Sequence, residues 1–307
     1  VQEGPKKKGA SLESQLVEFG RFDARSVALL QALHLLTREG LLNQDARRKL
    51  KQVVHLVRFL EEELKDLMLS SPGGMGRIVD LGAGKSYLGL LLMDLALREH
   101  PEWSLLAVEQ RSELVQSLRN IASQMGLGDR VEALDLSLQQ LKSESLRERS
   151  GSEPVPIQKL IVLALHACDQ ATDWSLIHGV RARAECIALV PCCQAELAQQ
   201  LSQSQLKSMT AKALQPLTGE GIHRREFGSH LTNVMRTLFL RAQGYRVRVT
   251  ELVGWEHSMK NELILARRGA GENPQDHPAA VEARLALSEL SREFGGVFPS
   301  VLNRLVQ

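Results

Sequence analysis

With 307 residues, the chain is long enough for one large α/β domain and an accessory segment. Its 38 basic and 36 acidic side chains leave a net charge of +2, which excludes a uniformly charged binder but permits a local basic face; aromatics at 4% exclude a surface that holds single strands mainly by base stacking. Four cysteines, no secretory leader pattern and no apolar run of spanning length predict a cytoplasmic chain with reduced thiols and no membrane partner.

Residues 1–11 are polar and are expected to form a disordered tail. An N-terminal helical region follows over 12–72, where Val53, Val54, Val57, Leu60 and Leu64 recur at helical spacing between charges. The break SPGGMG, rich in Gly and Pro, sets a domain boundary. Beyond it, apolar strands alternate with helical patterns: RIVDLG, then a helix; SLLAVEQ, then an amphipathic helix ended by Gly126; then RVEALDLS. A charged loop over 142–158 precedes two further strands, LIVLALHACDQATD and CIALVPCCQ. A long helical region over 195–243, broken near LTGEGIH, leads to YRVRVTELV and ELILARR, which read as an antiparallel hairpin. The alternation predicts a doubly wound, largely parallel sheet over 73–268. Residues 269–307 read as a linker and one or two helices.

VDLGAGKSYLG, residues 79–89, lies between the first strand and its helix, where phosphates and nucleosides bind in such sheets. A phosphate-binding P-loop needs a Gly five residues before the Gly-Lys pair, and Val79 stands there. The dinucleotide fingerprint fails at Tyr87, which replaces its third Gly. What remains is Asp80, Gly82 and Gly84 after a strand, with Glu109 ending the next strand. This arrangement resembles the first motifs of class I S-adenosylmethionine-dependent methyltransferases. The resemblance implies a Rossmann-like sheet of seven strands with the last hairpin antiparallel, an N-terminal helical extension, and S-adenosylmethionine as cofactor. It also implies that Asp80, Gly82, Gly84, Lys85, Ser86, Tyr87, Glu109, Gln110, Asp135, Leu136 and His166 surround that cofactor, with Glu109 on the ribose hydroxyls. The chemistry agrees, because glycines admit close backbone approach and a carboxylate accepts from two vicinal hydroxyls.

Two strand tips carry His166, Cys168 and Asp169, and Pro191, Cys192 and Cys193. Zinc is one reading, but adjacent cysteines without C-x-x-C spacing suit a tetrahedral ion poorly, and no metal is expected. The zinc deaminase pattern fails for want of H-x-E and P-C-x-x-C. A covalent cysteine is a second reading, since a thiolate at the mouth of a site is nucleophilic. The third follows a closer likeness. LHACDQATD, PCCQAE, IHRREFGSHLTNVMRTLFLRAQGYRV and EHSMKN, in that order, are similar to a bacterial branch of a methyltransferase family. That family includes human methyltransferase-like proteins and is related to tRNA 2′-O-methyltransferases. The likeness covers about Lys49 to Arg268 and implies an acceptor pocket formed by His166, Asp169, Pro191, Cys192 and Cys193. Of these His166, Asp169, Cys192 and Cys193 are the candidate catalytic groups.

Arg47, Arg48, Lys49 and Lys51 cluster ahead of the sheet, and Arg224, Arg225, Arg236 and Arg241 punctuate the late helical region. Charges on helices usually mark a solvated face, but such a set could also seat phosphates. The expected substrate contacts are Lys49, Pro191, Arg224, Arg236, His257, Lys260 and Asn261. Asn233 departs from the family pattern, which often has Asp there. The expectation is a methyltransferase acting on RNA, tRNA or rRNA; the alternatives are a protein or small-molecule methyltransferase, or a module that binds the cofactor without catalysis.

Overall fold

The computed structural model describes residues 16, 19–70, 72–149, 155–165, 167, 169–192, 194–203, 213–252, 262–271 and 273–306. Helices lead into the sheet. α1 (Ala24–Ala32) is capped by Asp23, whose carboxylate accepts from the Ser26 N–H. α2 (Gln44–Ser70) has Asn43 accepting from the Ala46 N–H at its start and buries Leu50, Val53, Val57, Leu60 and Leu64 along one stripe.

The strands are β1 (Gly76–Leu81), β2 (Trp103–Glu109), β3 (Val131–Asp135), β4 (Lys159–Leu165), β5 (Cys186–Val190), β6 (Tyr245–Glu251) and β7 (Glu262–Arg268). They form one seven-stranded sheet in the order β3-β2-β1-β4-β5-β7-β6. Only β7 runs antiparallel to its neighbours, and the other pairings are parallel. Covered on both faces, β1 and β2 bury every residue, which is why they read as continuous apolar runs rather than alternating ones. This is the expected Rossmann-like architecture with its closing hairpin.

Between the strands lie α3 (Tyr87–Leu95), α4 (Ser112–Gln124), α5 (Gln170–Arg181), α6 (Glu196–Gln203) and α7 (Gly221–Ala242), and after them α8 (Pro278–Glu293) and α9 (Ser300–Val306). The expected break in the late helical region falls at Glu220, between a helical turn over Pro216–Gly219 and α7. The charged loop contains a 3-10 turn and a two-residue antiparallel ribbon. Among the described residues, no helix is long and apolar enough to cross a membrane.

Each sheet face has its own core. α1, α2, α3 and α4 pack with Ile78, Leu105, Ile161, Leu263 and Leu265 on one side. The other side buries Val79, Leu106, Val162, Ile187 and Ile264 with α5, α6 and α7 and, from the C-terminal segment, Leu287, Val301 and Leu302. The core therefore runs straight across the boundary expected near residue 72, because α2 is one of the layers that covers the sheet. Leu60 on α2 is fully buried, so Leu60→Ala is expected to cost about 2–5 kcal/mol. Urea unfolding should show a single transition moved to lower denaturant; a separate early transition with the main one unmoved would contradict the shared core.

Candidate active site

The chain steps from β1 through β2 to β3 toward one edge, then crosses to β4 and steps through β5 toward the other. Such divergence leaves a crevice at the carboxyl ends of β1 and β4. Gly82 and Gly84 sit at that point with φ of +66° and +57°, backbone that side chains with a Cβ rarely adopt. The Gly82 and Ala83 N–H groups donate to the Val108 carbonyl, which fixes the loop to the tip of β2. A Cβ at Gly82 would lie 3.7 Å from Ala167, so the loops after β1 and β4 flank one opening.

Glu109 ends β2 with only 7% of its surface exposed. Its Oε2 accepts from the Gly84 N–H, and its Oε1 from the backbone N–H and Nε of Arg111. Burial alone would raise the carboxyl's pKa, but the hydrogen bonds from Arg111 and Gly84 outweigh it and hold the value below the usual range. The group is ionised and aimed at the glycine loop. Asp80, by contrast, is turned inward. Ser86 Oγ donates to its Oδ2 at 2.8 Å, and burial, reinforced by Glu109 against the pull of Ser86 and Gly89, pushes its pKa up to about 7.

These positions correct part of the sequence reading. Ser86 is fully buried and spends its hydroxyl on Asp80, so it braces the loop from inside rather than facing the crevice. Lys85, Tyr87 and Leu136 are half-buried, while Gln110 and Asp135 are exposed. The Leu136 N–H donates to the Glu109 carbonyl, and Asp135 pairs in register with Glu109, so the tips of β2 and β3 adjoin.

On the other flank, Asp169 adopts φ +50° and ψ −119°, a strained backbone for any residue but Gly. Arg236 holds it there: its Nη2 donates to the Asp169 carbonyl at 2.9 Å and its Nε to Asp173 Oδ1 at 2.7 Å. Arg236 Nη1 and Gln194 Nε2 both donate to Asn233 Oδ1, whose amide then donates to Glu262 Oε2. Ser229 Oγ donates to Gln194 Oε1. α7 thus fastens the loop after β4 and the loop after β5 at once.

Arg236 is completely buried, as is its partner Asp173, which overturns the expected substrate contact. A guanidinium closed off by Asp173, Asn233 and a backbone carbonyl cannot reach a phosphate. Arg224 donates to the carbonyls of Thr218 and Gly219, so it caps the preceding helical turn. Lys49 is exposed on α2, Pro191 is buried just past β5, and Cys192 is half-buried beside it. His166, Cys168, Cys193, His257, Lys260 and Asn261 lie outside the described residues.

Several residues of this frame carried no signal in the sequence. Asp173 and Arg236 are 63 positions apart, and nothing local to either announces the pair. Glu262 reads only as the first residue of a strand. The C-terminal segment also reaches the frame: Phe298 exchanges hydrogen bonds with the Gln200 side chain, and the Ser300 N–H donates to Glu196 on α6.

Residues 48–200 match the family model Methyltransf_32, described as a methyltransferase domain. Two curated relatives, both called ribosomal RNA small subunit methyltransferase G, match part of the chain. The one from Rhizorhabdus wittichii is 31% identical over 113 residues, 37% of this chain and 50% of its own length. The one from Sphingopyxis alaskensis is 29% identical over 134 residues, 44% of this chain and 54% of its own. The chain thus spans about half the length of the curated relatives it matches. A solved structure, the N-terminal domain of human METTL16 in complex with SAH, is 14% identical with a TM-score of 0.44, covering 87% of this chain and 96% of that one. The fold rests on strand order rather than on that superposition.

Two stability measurements check the local physics. Asp169→Gly is expected to raise stability by about 1 kcal/mol, because Gly accepts the backbone that Asp169 is forced into. Asp169→Ala should give no such gain, and a loss with Gly would contradict the strain. For Asp80 the folded pKa of about 7 stands above the ordinary 3.8. The fold therefore retains the proton, and stability from this site falls as pH rises from about 4 to about 7, then levels. Asp80→Asn should gain on the wild type by a few kcal/mol across that window; a difference in melting temperature that stays constant with pH would contradict it.

Proposed function

We propose that the chain, whose residues 48–200 match the methyltransferase-domain model, is an S-adenosylmethionine-dependent methyltransferase whose acceptor is RNA. The observation that carries the reading is the pair of left-handed glycines facing the Glu109 carboxylate across the β1–β2 tips. The residues present fit a nucleoside. Gly82 and Gly84 keep the crevice clear of Cβ atoms, and the ionised Glu109 offers two oxygens to vicinal ribose hydroxyls. Arg111 now shares those oxygens, but its side chain is 57% exposed, and such a surface pair is worth only about 0–1 kcal/mol. A diol can displace it.

When bound, the cofactor would supply an electrophilic methyl, open to in-line attack by the acceptor atom with the thioether of S-adenosylhomocysteine as the leaving group. The protein's part is to position both reactants and keep water out. Asp80 and Ser86 stiffen the glycine loop, Lys85 and Tyr87 flank it, and Gln110, Asp135 and Leu136 border the nucleoside end. Asp169 and Cys192, with His166 and Cys193, are assigned to the acceptor side, where Asp169 or His166 would take the proton of a hydroxyl acceptor. RNA is supported by the names of the two curated relatives, both ribosomal RNA methyltransferases, and by the cluster of Arg47, Arg48, Lys49 and Lys51 at the start of α2.

Incubation with cofactor labelled on the methyl tests the proposal. Label is expected in the RNA fraction of cells lacking the gene; label in the protein fraction, with none in RNA, would sink it. Glu109→Ala is expected to weaken cofactor binding by about 10- to 100-fold, the worth of charge-assisted hydrogen bonds to two hydroxyls. Calorimetry reads this directly, and an unaltered affinity would remove Glu109 from the ribose. Arg111→Leu is the control, expected to bind as well as the wild type or up to about fivefold better.

A further inference from the structure

We infer that one face of α2, continued by the edge strand β6, is the surface along which the RNA strand runs to the crevice; this rests on the RNA reading above. Arg48, Lys51, His55 and Arg58 recur every three or four residues, so they share a face of the helix, and that face lies opposite the buried stripe of Leu50, Val53, Val57 and Leu60. Arg48, His55 and Arg58 are exposed and Lys51 is half-buried. Lys49 is exposed as well, but lies more than a quarter turn away from this row.

Charge along α2 is segregated. Its N-terminal turns hold Arg47, Arg48, Lys49 and Lys51 with Asp45 as the acidic residue, while Glu61, Glu62, Glu63 and Asp66 fill the C-terminal part. The acidic end is answered within the fold, by Arg267 on Glu63 and Asp66 and by Arg21 on Glu61. At the basic end Arg48 pairs with Asp45 at 3.8 Å, both largely exposed; a surface pair of this kind is worth only about 0–1 kcal/mol, so the row keeps its attraction for an anionic strand.

The same contacts give the direction of α2. Arg267 pairs in register with Cys186 at the start of β5. One helical turn back, Arg248 of β6 lies 5.2 Å from the Phe59 ring centroid, and Arg248 aligns through Leu265 with Ala188, two residues further along β5. α2 therefore climbs toward the carboxyl edge as it is followed back to its N-terminus. From Phe59 to Arg48 the helix rises about 16 Å, whereas the rest of β5 climbs only about 7 Å. Arg48 and Lys51 therefore lie toward the carboxyl edge of the sheet, the side on which Pro191 and Cys192 follow β5.

The row also contains a flat platform. His55 stacks on Phe59 with centroids 5.2 Å apart and planes 11° from parallel, and burial together with Arg58 lowers the imidazole's pKa. The side chain of His55 is exposed. The His55 ring, backed by Phe59 and flanked by Arg58 and Arg248, suits an unpaired base, with phosphates on the arginines to either side. Arg246 extends the charge along β6.

The test uses the full chain, an unstructured oligoribonucleotide of mixed sequence, and total RNA as acceptor. Replacing Arg48→Gln, Lys51→Gln, Arg58→Gln and Arg248→Gln together should reduce the slope of log affinity against log salt by about 3 and raise KM for RNA roughly tenfold or more. Affinity for S-adenosylhomocysteine, measured on the same preparation, should not change, which verifies the fold. His55→Ala should weaken the oligoribonucleotide by a similar factor at low and high salt; unchanged binding would strike out the platform. If the wild type methylates RNA but the fourfold variant keeps its salt slope and KM, the RNA path lies elsewhere and this inference fails alone. If the wild type labels protein and not RNA, the acceptor reading fails, and this surface with it.

Discussion

β1 and β4 are neighbours in the sheet, yet the chain leaves them toward opposite edges, and no helix can cover both of their tips. The opening that results is a consequence of connectivity, present before any particular side chain is chosen. What the sequence adds is a lining suited to it. Glycines with left-handed backbone let the loop after β1 turn without filling the gap, and an ionised carboxylate from β2 is held against the Gly84 N–H. The buried Asp80–Ser86 pair stiffens the same loop from beneath.

The far side of the opening depends on a different principle. Two loops, after β4 and after β5, must hold fixed shapes although neither is regular structure. α7 supplies the rigidity through Arg236, Asn233 and their partners, a buried polar network in which Arg236 alone makes hydrogen bonds to Asp173, Asn233 and the Asp169 carbonyl. Removing one partner from such a network leaves uncompensated polar groups in the interior, so the loops and the helix stand or fall together. The C-terminal segment adds a further tie through α6. Strain at Asp169 persists because this surrounding structure over-determines it.

The strands and the glycine loop were legible because they rest on local rules: continuous apolar runs for strands covered on both faces, and glycines punctuating their ends. Glu109 was legible for the same reason, as an acid closing an apolar run. Arg236 was misread because an arginine on a helix looks the same whether it meets solvent or a buried aspartate 63 residues away. The inward turn of Ser86 was hidden because a strand-to-helix loop does not disclose which of its side chains faces the core. The charge segregation along α2 is written in the sequence, but its meaning requires knowing which end of the helix points toward the crevice. The helices α8 and α9 were hard to place from sequence because the partners that fix them, α7, α6 and α5, are distant in the chain.

The central claim is that a nucleoside occupies the opening between the tips of β1, β2 and β4. Amide hydrogen exchange on the full chain, with and without S-adenosylhomocysteine, addresses it most directly. The expected result is slowed exchange at Gly82–Gly84 and around Glu109–Arg111 and Leu136, with the groove of about 1050 Å³ near Phe239, Arg284 and Phe298 unaffected. Protection confined to that groove, or no protection anywhere at saturating ligand, would contradict the account.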